Sequence, residues 1–251
     1  MSQNSRTANI STRISLRWPP EPAFENTDTL SLSVGGWYVD LRVDKKSRNI
    51  DWAMAGERIV VSEEPSIVDF THAIDSLNQF DTADRGTFTK LPNGDDLEIG
   101  RMPRQDLPGA PIEDYEEVWR DIQLSTGVSW ILESEESLQV NSKADGGDRI
   151  AKTFLGCVPG HCTTLRQWQW YEGNGQNGEM VSRKRGGMVS ARREEWDPAR
   201  ESPIITKHAI GDDLDKLPTL DETKTALKSG VAVGDVVVIG GCRYVVRAFE
   251  K

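Results

Sequence analysis

This chain is poor in the residues that usually announce chemistry. It has three cysteines, three histidines and no long apolar run among its 251 residues. Cys157, Cys162 and Cys242 are too few, and odd in number, for a disulfide scaffold, which points to a reducing compartment and a cytoplasmic protein. No apolar stretch approaches the roughly 20 residues that span a bilayer, so no membrane is expected as a partner. The opening Met-Ser-Gln-Asn-Ser-Arg-Thr lacks the apolar core of a secretory leader. His72, His161 and His208 are scattered, and no Gly-x-Ser-x-Gly elbow accompanies them, so no nucleophilic triad is expected. Positive charge is scarce in the first half: residues 1–122 hold 22 of the 40 acids but 13 of the 30 bases. A phosphate backbone needs a basic surface, so nucleic acid is not an expected partner.

What the chain does contain is β-grammar. Leu30 to Val43 reads Leu-Ser-Leu-Ser-Val-Gly-Gly-Trp-Tyr-Val-Asp-Leu-Arg-Val, two alternating runs joined by the glycine pair of a tight hairpin. Alternation of this kind predicts one wetted face and one buried face. Further alternating runs are Thr12–Trp18, Ile50–Ala55, Gly86–Leu91 and Leu97–Met102, then Tyr115–Ile122, Val128–Glu133, Arg149–Leu155, Cys162–Tyr171 and Tyr244–Phe249. Between the two groups lies Pro103 to Pro111, whose three prolines read as a linker. One helix is predicted near 219–229, with Thr219 as its cap, early acids, late lysines and a closing Gly230. The expected fold is mainly β: two successive antiparallel β-barrel domains, 1–110 and 111–251, with one short C-terminal helix.

Several motifs invite sharper readings. Gly173-Asn174-Gly175-Gln176-Asn177-Gly178 matches the dinucleotide fingerprint in letters, but the segment after it reads as a strand and not the required helix, so a hairpin turn is favoured. Cys157-Val158-Pro159-Gly160-His161-Cys162 gathers three soft ligands, one short of a tetrahedral metal site, and buried cysteines are the simpler account. No catalytic, cofactor-binding or metal-ligating set is therefore expected. Trp37, Trp52, Trp168 and Trp170 are candidates for a ligand cavity or for core. Arg183, Lys184, Arg185, Arg192 and Arg193 form a basic hairpin around Gly186-Gly187, either a docking surface for a partner or a charge-guarded edge.

Leu30–Val43, Ile50-Asp51-Trp52-Ala53-Met54-Ala55-Gly56, Thr82-Ala83-Asp84-Arg85-Gly86, Tyr115-Glu116-Glu117-Val118-Trp119 and Leu227–Phe249 together resemble a fungal family named for binding a casein kinase I, the Hrr-interacting proteins. Gly35-Gly36-Trp37 also fits the Gly-x-Trp of lipocalins, although it does not stand on the first strand. The resemblance implies two lipocalin-like barrels in a cytoplasmic and nuclear protein without enzymatic activity. It also implies a casein-kinase-I-type kinase as a protein partner. Such kinases prefer acidic upstream positions, which makes Ser134 and Ser137, within Glu133-Ser134-Glu135-Glu136-Ser137, candidate phosphosites. Two functions follow: a non-enzymatic intracellular adaptor that binds proteins, or a carrier of a small apolar ligand in a barrel cavity.

Overall fold

The computed structural model describes residues 8–135, 149–172, 182–196, 204–227 and 230–251, with 172 and 182–184 by backbone alone. The Leu30–Val43 pattern forms the expected hairpin, β2 (Thr27–Val34) against β3 (Trp37–Asp44), turning through Gly35 and Gly36 at φ of 56° and 84°. Two consecutive positive φ values are what a two-residue turn between twisted strands requires, and only glycine adopts both freely. With β1 (Asn9–Arg17) before them, the sheet continues through β4 (Ile50–Glu63), β5 (Ser66–Phe70), β7 (Asp84–Lys90), β8 (Asp96–Pro103) and β9 (Ile112–Asp121). The short β6 (Ile74–Asp75) adds to β4. Strand β9 returns to β1, from Ser11 opposite Asp121 to Arg17 opposite Glu116, and closes an antiparallel barrel of eight strands.

That closure moves the domain boundary. The Pro103–Pro111 segment connects β8 to β9 within the barrel, sealed where the Arg104 N–H donates to the Pro111 carbonyl at 2.8 Å. The boundary at 110 therefore cuts the first barrel, and the sheets separate instead between Asp121 and Ser129. Pro103 ends the ladder opposite Ile112, and Pro108 and Pro111 follow beyond it at the hairpin tip, where prolines are tolerated as well as in a linker.

The second sheet runs β14-β13-β12-β11-β10-β16-β15. Its strands are β10 (Ser129–Ser134), β11 (Arg149–Val158), β12 (His161–Glu172), β13 (Ser182–Glu195), β14 (Ile205–Ile210), β15 (Val236–Ile239) and β16 (Cys242–Glu250). Among the described residues it does not close: β14 and β15 are edges, so a second barrel is not formed there. Helix α1 (Leu220–Ala226) packs on one face, preceded by a 3₁₀ turn at Leu214–Lys216. The predicted cap is present: Thr219 and Glu222 bond each other's backbone N–H in a capping box. Gly186 and Gly187 do not turn a basic hairpin. Strand β13 runs straight through them, with its register against β12 shifted by a bulge.

Each face of β2 and β3 meets a different environment. Leu30, Leu32, Val34, Val39, Leu41 and Val43 leave the barrel and join Ile131, Phe154, Leu165, Val189, Ala191 and Ala248 of the second sheet in one core. Their alternates Ser31, Ser33, Tyr38, Asp40 and Arg42 line the barrel lumen. The expected wetted face is therefore enclosed as well, and the polar side chains point inward. A second core, with Leu132, Leu155, Tyr244 and Val246, lies beneath α1. At the mouth of the β11–β12 hairpin Cys157 and Cys162 are opposite in register, buried and disulfide-bonded, where the sequence suggested separate thiols.

Candidate functional site

Two cavities stand out, and their chemistry differs. The first is the barrel lumen. Arg42 projects from β3 with its guanidinium 4.9 Å from the Trp52 ring centre and 5.5 Å from that of Trp119. It donates to Glu117 at 2.9 Å and to Asp40 at 3.3 and 3.2 Å. Arg13, held in turn by Glu25 and Thr27, donates to the same oxygen of Glu117. Glu98 accepts the Tyr115 hydroxyl at 2.7 Å and the Trp119 indole N–H at 2.8 Å. Burial, reinforced by the negative charge of Glu117, pushes the Glu98 carboxyl up to about 8. Burial also raises Asp40 despite its pairing with Arg42.

Below this cluster Trp52 donates its indole N–H to Asp75 at 3.1 Å. The His72 ring lies between two carboxylates, 2.7 Å from Asp75 and 3.5 Å from Asp84. Burial opposes its charged form, but both acids overcome it and lift His72 to about 9. These side chains fill most of the lumen, which leaves about 140 Å³. Pockets for organic ligands run to roughly 300–1,000 Å³, so the lumen is mainly a polar core.

The second cavity lies at one end of the second sheet and measures about 440 Å³. Strand pairing sets Trp130 beside Phe249 and Cys157, and the capping box fixes α1 so that Leu220 and Leu227, seven residues apart, turn toward the sheet. Val158, Trp196 and Phe249 complete an apolar wall. Two lysines join the lining, Lys224 and Lys251; the Lys224 ammonium lies 3.7 Å from the Trp196 ring centre. The Trp130 indole N–H is buried and has no acceptor among the described residues.

The four tryptophans singled out in the sequence do not converge. Trp37 is half-buried outside the barrel wall, stacked 6.1 Å from Phe154 with Arg247 above it at 5.1 Å. Trp52 faces the lumen. Trp168 is half-buried, donates to Asp213 at 2.8 Å and lies under Arg149 and Arg166. Trp170 is half-buried beneath Arg185, at 4.2 Å. The basic residues are engaged within the chain. Arg192 donates to the Leu214 and Leu217 carbonyls, and Arg193 to Asp28 and Glu195. The side chains of Arg183 and Lys184 lie outside the described residues, as do Ser137 and the Gly173–Gly178 loop. Ser134 is buried and its hydroxyl accepts the Thr153 N–H at 2.8 Å, which removes it from a kinase's reach while the sheet is intact. Among the described residues no group of His, Cys, Asp and Glu is arranged to hold a metal, and no helix is long and apolar enough to cross a membrane.

Sequence reasoning missed Trp130, Trp196, Lys224 and Lys251. The capped helix was the available signal, since it defines which residues α1 turns toward the sheet.

A family model described as Protein HRI1 matches residues 9–246. Among solved structures, the crystal structure of the uncharacterised Saccharomyces cerevisiae protein YLR301w is similar, with a TM-score of 0.65 over 97% of this chain and 99% of that one. At 14% identity, that likeness speaks for the fold alone. No curated protein matches the chain in sequence.

Proposed function

This chain belongs to the HRI1 protein family, and on that premise we propose that it is a non-catalytic intracellular binding protein whose second sheet, not its barrel lumen, holds a small apolar molecule. The observation that carries this reading is the cavity of about 440 Å³ walled by Trp130, Trp196, Leu220, Leu227 and Phe249. Its size falls in the range of ligand pockets, and apolar walls supply non-directional affinity in proportion to the area they cover. The lumen offers the opposite: charged groups already matched to each other around a small residual space.

The test is titration of the full chain with 1-decanol, followed by tryptophan fluorescence, since two tryptophans line the cavity. Saturable binding is expected. Val128 lines the same cavity and is 39% exposed, so Val128→Trp can block the space without disturbing the core. Binding that survives this substitution, or no binding by the parent chain, would overturn the reading.

A second reading, adaptor to a protein partner of the casein-kinase-I type implied by the resemblance, is favoured by the open edges of the second sheet. Strand β15 presents Val236 and Val238 to solvent, and an unpaired edge can accept a partner's strand. Co-elution of the chain with purified casein kinase I, lost in Val238→Pro, is the outcome that reading requires.

A further inference from the structure

The cavity against α1 has a charge character opposite to that of the chain. The protein carries a net charge of −10, yet the described lining of this cavity contains Lys224 and Lys251 and no aspartate or glutamate. Lys224 forms no ion pair among the described residues; its ammonium rests on the face of Trp196. Burial lowers its affinity for a proton, in spite of Asp221 nearby, as expected for a cation without a full counter-charge. A second polar group of the lining, the indole N–H of Trp130 in a side chain 5% exposed, has no acceptor among the described residues. A buried donor without an acceptor is costly, and a partly buried cation is best compensated by an anion that also accepts hydrogen bonds.

A purely apolar occupant would leave both groups unmet. The geometry points to an anionic amphiphile as the occupant: an aliphatic chain against Leu220, Leu227, Val158 and Phe249, with a carboxylate head taken by Lys224, and Lys251 and the Trp130 N–H as further donors. This inference rests on the apolar-ligand reading above and specifies the head group that reading leaves open.

Three probes with one tail length separate the two claims: decanoate, 1-decanol and decyltrimethylammonium, each titrated into the full chain by calorimetry. Decanoate is expected to bind roughly tenfold more tightly than decanol, equivalent to about 1.4 kcal/mol, and the cationic probe most weakly. Lys224→Gln should bring decanoate to the level of decanol, so that the preference between the two probes disappears. Trp130→Phe keeps an aromatic ring in the wall and removes the donor, and should weaken decanoate by a larger factor than decanol; circular dichroism confirms that each variant is folded. Equal affinity for decanoate and decanol, or a preference that survives Lys224→Gln, overturns the anionic head while the apolar site stands. Absence of binding by both decanol and decanoate overturns the site itself.

Discussion

Glu98 holds a proton that the unfolded chain would release, and this gives the barrel a definite pH response. Unfolded, its carboxyl titrates near the ordinary value of 4.5; folded, burial and the negative charge of Glu117 move it to about 8. Between those values the native state binds more protons than the unfolded state, so stability falls as pH rises and levels off above about 8. His72 acts in the same sense over a higher window. Its folded value of about 9 exceeds the usual 6.5, so its stabilisation is complete below about 6.5 and is lost as pH rises through 9. Thermal melts are therefore expected to show falling stability from pH 5 to pH 9, on the order of a few kcal/mol. Glu98→Gln should flatten the lower part of that slope, and an unchanged slope would remove Glu98 as its source. None of this was legible in the sequence. Arg13 and Glu117 are 104 residues apart, and nothing local to either distinguishes a buried ion pair from solvated surface charge. An Arg that enters a barrel needs its counter-ions already in place, so its burial follows from closure and not from its neighbours in sequence.

At the scale of the element, local signals were reliable where the physics is local. The Gly35-Gly36 turn depends on two residues, and the α1 cap on Thr219 and Glu222, and both could be read directly. Strand pairing across the Pro103–Pro111 segment could not, because prolines mark the lack of a ladder without saying whether a hairpin tip or a linker lies there. The two readings differ in consequence. If β9 closes the barrel, a fragment ending at residue 110 lacks the strand that supplies Glu117, Tyr115 and Trp119 to the lumen. Such a fragment leaves Arg13 and Arg42 buried without their shared partner and exposes the edges of β1 and β8. It is expected to show no cooperative unfolding transition by circular dichroism in urea. A sharp transition in that fragment would place β9 outside the folding unit.

At the scale of the whole molecule, the sheet and the barrel are joined by one core. Period-two patterning identified the apolar set of β2 and β3, but the pattern is symmetric and cannot say what covers each face. The cover is a second sheet whose strands β10 to β13 contact β2, β3, β4 and β6. Polar contacts reinforce it: Gln167 and Gln169 donate to the Asp75 and Ala73 carbonyls, and Arg193 reaches Asp28. The sheets pack tightly at Gly156 of β11, where a Cβ would collide with Leu32 and press on Ile131 and Val39. Glycine is needed there for space, since its backbone lies in the ordinary region. Gly156→Val should force the sheets apart and lower stability by about 1–3 kcal/mol, the usual range for overpacking a filled core. Because that core belongs to both sheets, the loss should appear as one displaced transition, with lumen and second-sheet tryptophans reporting the same midpoint in urea. Two separated midpoints, with only the second-sheet signal displaced, would mean that the barrel holds together without its cover.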